Sequence, residues 1–151
     1  MKFLRKLIAS QQGVSAVEFA LILPLLLFIL FGIIEFGVVL FDKAVVTNAS
    51  REGARAGIVH VHQSQVSDEE IDTVVMAYAQ NYLISLGSPL NEVTMDPPDR
   101  SEGNLTVTVR YIYDFLVLPD IAALIPGAGF DGTIELVGRT IMRMEDGGGS
   151  P

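Results

Sequence analysis

The stretch GVSAVEFALILPLLLFILFGIIEFGVVLF, residues 13–41, decides how this chain folds. From Phe19 to Phe41 it runs 23 residues with a single ionisable side chain, Glu35. As an α-helix that length spans about 35 Å, more than the roughly 30 Å hydrocarbon core of a bilayer. Two acids, Glu18 and Glu35, stand near the two ends of the apolar run. A plain anchor has no use for them, because an unpaired charge at membrane depth costs several kcal/mol. Pro24 also lies inside the run. In a water-exposed helix it would cost about 3 kcal/mol, but in a membrane its freed carbonyl finds other partners. Gly32 and Gly37 allow another helix to approach closely.

Toward the N-terminus, residues 1–13 carry Lys2, Arg5 and Lys6 and no acid. They predict a basic cytoplasmic leader, with the N-terminus inside and the C-terminal domain outside. A conventional signal peptide would follow with a short apolar region and a small-residue cleavage site. Here the apolar run is far longer, and polar Ser10-Gln11-Gln12-Gly13 precedes it. A cut would therefore fall on the cytoplasmic side and leave the anchor attached.

Toward the C-terminus, 14–41 is read as the transmembrane helix and 42–63 as its extension. Ala49, Gly53 and Gly57 recur at every fourth position and make one narrow face of small side chains. Each glycine costs a helix about 1 kcal/mol relative to alanine, so such a face suits close packing against another element. Residues 64–146 form the head. Ser67-Asp68-Glu69-Glu70 is a capping-box pattern, followed by an apolar stripe of Ile71, Val74, Val75, Tyr78, Tyr82 and Leu86. Gly87 and Pro89 are expected to stop that helix. A short strand follows at 92–96 and a last strand, rich in Ile, Val and Thr, at 132–144. Between them 104–115 alternates, with Leu105, Val107, Val109, Tyr111 and Tyr113 on one face. Residues 147–151 are a flexible tail. The fold expected is α+β: a long N-terminal transmembrane helix extending into a small periplasmic domain, where one further helix packs on about three antiparallel strands.

The net charge of −8 gives no case for nucleic-acid binding. The absence of cysteine excludes disulfides, thiolate metal sites and cysteine catalysis. His60 and His62 stand in a turn, and Asp96, Asp99 and Glu102 surround Gly103. Exposed turn histidines and a solvated acidic turn account for both groups without a metal. Two Asn-x-Ser/Thr triplets, at Asn48 and Asn104, complete the weak motifs. No catalytic frame accompanies the Ser, His and Asp residues, so no enzyme activity, cofactor or metal is expected.

Gly13 followed by Val14-Ser15-Ala16-Val17-Glu18-Phe19 resembles the prepilin peptidase site of type IV pilin-like proteins. The longer strings AVEFALILPLLL, GIIEFG and ASREGARAG resemble TadE-like minor pilins or pseudopilins of Flp/Tad (tight adherence) pili. The resemblance implies cleavage between Gly13 and Val14, which makes Glu18 the fifth residue of the mature chain. It also implies that Glu18, beside Phe19, pairs with the new amine of Val14 during assembly. Glu35 would make an intramembrane polar contact to another subunit or to the assembly machinery, or else reach the outer interface. The implied partners are prepilin peptidase, other pilins or pseudopilins, the Tad machinery of the bacterial inner membrane, and the bilayer itself. The competing expectations are an unprocessed single-pass anchored periplasmic protein and a pseudopilin of a type II secretion apparatus.

Overall fold

A computed structural model of the chain describes residues 11–61, 64–86, 89–122 and 131–144. The leader up to residue 10, His62, Gly87 and the glycine-rich tail lie outside them. The organising element is α1, Gln11–Gly57, 47 residues without interruption. It passes through Pro24 and spans about 70 Å at ~1.5 Å per residue. Its N-terminal half is long and apolar enough to cross a membrane, and no residue of its most apolar stretch is buried.

Burial begins at Glu35 and becomes regular from Val39 onward. Val39, Val45, Val46, Ala49 and Ala54 belong to the core of the head. The long apolar helix is thus also the central core helix of the domain. It ends at Gly57, so the extension expected to reach residue 63 is helical only to that glycine. Beyond it β1 (His60–Val61) turns back and pairs antiparallel with β2 (Ser64–Gln65). A helix cannot continue through that reversal.

The second helix, α2, spans Asp68–Tyr82. Its start is as expected. Ser67 Oγ accepts from the Glu70 amide at 3.3 Å, and the Glu70 carboxylate accepts from the Ser67 amide at 3.2 Å. Asp68, Glu69 and Glu70 in the first turn complement the positive end of the helix dipole. Ser67→Ala is expected to lower head stability by about 1 kcal/mol, measured by denaturant unfolding of the full chain in micelles.

The remainder of α2 departs from the sequence reading in two respects. Its buried row is Ile71, Val75 and Ala79, continued by Leu83, while Val74 and Tyr82 are 37% and 53% exposed. The helix also stops at Tyr82 rather than running to Leu86. Leu83 is extended, with ψ 143°, and the next amide, that of Ile84, is taken at 3.0 Å by the Asp42 carboxylate of α1. A side chain on another helix therefore directs the chain out of α2.

The sheet is antiparallel throughout. The central strand β5 (Asn104–Asp114) pairs along its whole length with β6 (Thr133–Arg143). Its other edge is shared end to end by β3 (Val93–Met95) and β4 (Asp99–Ser101). Four strands thus make a layer three strands wide. Pro97 and Pro98, with no amide to donate, fall in the gap between β3 and β4. β4 turns into β5 through Glu102 and Gly103, at φ 54° and 73°. Both central residues of this two-residue turn lie in the left-handed region that a tight hairpin requires. A short helix, α3 (Leu118–Ala122), follows β5.

The expected inward face of β5 holds. Leu105, Val107, Val109, Tyr111 and Tyr113 are all at most 2% exposed. Both helices cover that face. α1 lies over β5 and β6, and α2 lies beside it, packing chiefly on α1 and touching β3.

Candidate functional site

α1 has two regions of different character, and every sequence-predicted site residue falls on one or the other. The C-terminal region is locked into the head. A Cβ placed on Gly53 would lie 2.5 Å from Val75 Cγ2, and one on Gly57 would lie 2.5 Å from Leu105 Cδ2 and 2.7 Å from Ile71 Cδ1. Ala49 is fully buried. The small-residue face is therefore a groove filled by this chain's own α2 and β5. On the neighbouring strand, Gly138 of β6 meets the helix backbone. A Cβ there would clash with the Val46 carbonyl and lie 2.9 Å from Thr47 Cα.

Polar contacts pin the same region. Lys43 Nζ donates to the Val137 carbonyl on β6. Ser50 Oγ lies 2.7 Å from Thr140 Oγ1 and also donates to the Thr47 carbonyl. Asp42 and Glu35 are separated by two turns and project from one face. Asp42 holds the exit of α2 through Ile84. Glu35 Oε1 accepts from the amides of Leu116 and Val117, the latter at 3.2 Å.

Glu35 is only 1% exposed. Its Oε1 is held by the turn that follows β5 in the same chain. One oxygen each of Glu35 and Asp42, and the hydroxyl of Tyr113, are buried without a hydrogen bond. Burial pushes the Asp42 carboxyl above its ordinary value, against the lowering effect of the Ile84 amide. Burial also pushes the Tyr113 hydroxyl up to about 12, reinforced by the negative fields of Glu35 and then Asp42.

The N-terminal region is open. Val14, Phe19 and Leu21 are 51%, 60% and 74% exposed, and Glu18 is exposed with no partner among the described residues. Gly32 and Gly37 have nothing within 4 Å of a Cβ built on them. The five small residues singled out for helix packing therefore divide. Ala49, Gly53 and Gly57 are used inside the chain, while Gly32 and Gly37 face outward with Phe28, Ile29, Ile33, Phe36 and Leu40 along a shallow apolar groove. The Gly13–Val14 bond lies in the first turn of α1. Glycine resists local unwinding of such a turn less than any residue except proline.

The acidic turn is otherwise engaged. Asp96 accepts from Arg110 Nε at 3.0 Å and from Nη2 at 3.0 Å, and Glu135 takes Arg110 Nη1 at 3.1 Å. The guanidinium holds the Asp96 carboxyl below its usual range. Asp99 lies in β4. No group of three or more metal-ligating side chains occurs among the described residues.

The sequence alone assigned no role to Asp42, Ser50 or Gly138. Two signals were present. Glu35, Asp42 and Ala49 repeat at every seventh residue, so two acids share the face that packs. A glycine within the β-rich run of β6 marks a place where another backbone comes close.

Residues 13–55 match the family model described as TadE-like protein. The match begins at Gly13 and ends two residues before α1 does. Neither a curated protein nor a solved structure matches the chain.

Proposed function

We propose that this protein is a minor pilin or pseudopilin of a Tad-type adhesion pilus. In this reading it sits in a bacterial inner membrane through the first part of α1, with its N-terminus inside and its head in the periplasm. It is a substrate of prepilin peptidase and works as an assembly component, without catalytic activity of its own. The observation that carries the proposal is the TadE-like match, which starts at Gly13 and covers the open helix with Glu18 exposed on it.

The roles follow from chemistry. Hydrolysis of the Gly13–Val14 bond leaves a new amine on Val14, one helical turn before Glu18. In an apolar bundle a lone ammonium and a lone carboxylate are each costly, and bringing them together between neighbouring subunits removes both penalties. Phe19 supplies apolar contact beside that pair, and the outward face at Gly32 and Gly37 offers a second packing surface further along the rod. The head is cargo held rigidly at the end of the rod.

Intact mass of the protein from its native cells tests the assignment. A chain beginning at Val14 is the expected result. A full-length chain in cells with an active prepilin peptidase would overturn it in favour of an unprocessed anchored protein.

A further inference from the structure

The turn after β5 is fastened to α1 at a level where the helix is still a membrane element. Val14–Ile34 alone is 21 residues, about 31 Å of helix, already sufficient for the roughly 30 Å hydrocarbon core. Continued to Phe41, the apolar run is about 42 Å, which matches the 40–45 Å that includes the interfacial regions. Glu35 lies inside that second length and holds Leu116 and Val117 by their backbone amides.

The surface around this point is apolar between Asp114 and Asp120, which flank the turn. Phe36, Leu40, Phe41 and Leu116 are 57%, 61%, 46% and 51% exposed. Leu118 closes one side of the apolar groove that runs along Gly32 and Gly37. Between Leu21 and Phe41, and from Phe115 to Pro119, the one ionisable side chain is Glu35, and it is buried. A loop normally cannot enter an apolar phase, because its amides would lose their water. Here the two amides at the tip of the turn are already satisfied by a carboxylate from the helix.

We propose that Leu116–Leu118, clamped by Glu35, is a lip by which the head contacts the outer surface of the bilayer, with lipid as its partner. Leu116 then lies at the depth of the lipid interface, and the head stands directly on the membrane. The occupant follows from continuity: the exposed apolar belt of the anchor passes without a charged break into Leu116 and Leu118. This rests on the reading of the first part of α1 as a membrane span.

The test uses the full chain, which contains no native cysteine. Leu116→Cys, Leu26→Cys and Ile141→Cys variants carry an environment-sensitive fluorophore and are reconstituted in phosphatidylglycerol/phosphatidylcholine vesicles. Leu26 reports the span. Ile141, 58% exposed at the opposite end of the sheet, reports the water-facing head. Quenching by lipids bearing a nitroxide near the headgroup, and for Leu26 by lipids bearing one deep in the acyl chain, is compared with quenching by aqueous iodide. The label at Leu116 is expected to lose most of its emission to the lipid quencher and little to iodide, with Ile141 showing the reverse. A Leu116 label that behaves like Ile141 while Leu26 stays lipid-quenched would overturn the lip and leave the span intact. Failure of Leu26 itself to respond to lipid would overturn the span reading and the lip with it.

Discussion

Gly138→Val is expected to lower the stability of the head by about 3 kcal/mol, the upper part of the range for overpacking a close-packed interior. The obstacle is backbone, which makes the effect large. Most crowded sites relax by swinging a side chain aside, but the atoms nearest a Cβ at this position are the Val46 carbonyl and Thr47 Cα of α1. Relief requires moving the helix off β6, and that separation would strain the Lys43 contact to Val137 and the Ser50–Thr140 pair together. For a head of this size such a loss corresponds to a midpoint lowered by roughly 12–24 °C. Thermal unfolding of the full chain in micelles, followed through the near-ultraviolet signal of buried Tyr111 and Tyr113, measures it. A midpoint within a few degrees of the parent would show that the helix and β6 do not touch as described.

Glu35→Ala is expected to release the turn after β5, at about 2–3 kcal/mol of local stability. The side chain supplies the acceptor for two amides, and hydrogen bonds to an ionisable acceptor contribute about 1.5–3 kcal/mol each. Removing the buried carboxyl also removes its desolvation cost, which offsets part of the loss. The readout is amide hydrogen exchange at Leu116 and Val117, expected to accelerate roughly thirty- to hundredfold, at about tenfold per 1.4 kcal/mol. Glu35→Gln keeps an acceptor oxygen and should show a smaller acceleration. Unchanged exchange in the alanine variant would mean that the carboxyl does not hold the turn.

These two residues also show where reading the sequence reaches its limit. β5 was legible because a strand with one buried face writes a period of two into its own residues. The start of α2 was legible because capping is settled by residues three apart. The end of α2 was not, because the group that draws Ile84 out of the helix is Asp42, 42 residues earlier. Glu35 was recognisable as anomalous, yet its partners stand 81 and 82 residues away and offer backbone, which carries no signature of its own. The small-residue face was correctly marked for close packing, but composition alone cannot say whether the packing element belongs to the same chain. Ala49, Gly53 and Gly57 turned out to serve the head, whereas Gly32 and Gly37 remain available outside it.

The continuity of α1 has a mechanical consequence. No linker joins the apolar half of α1 to the head, since the rod long and apolar enough to cross a membrane is the same rod on which α2 and the sheet are built. A tensile load applied along the anchor is therefore delivered straight into the core, as shear between α1 and β6, with no flexible tether to absorb it. Rotation of the rod about its axis likewise turns the whole head through the same angle. The head is geared to its anchor, and its bearing is set wherever the anchor is gripped.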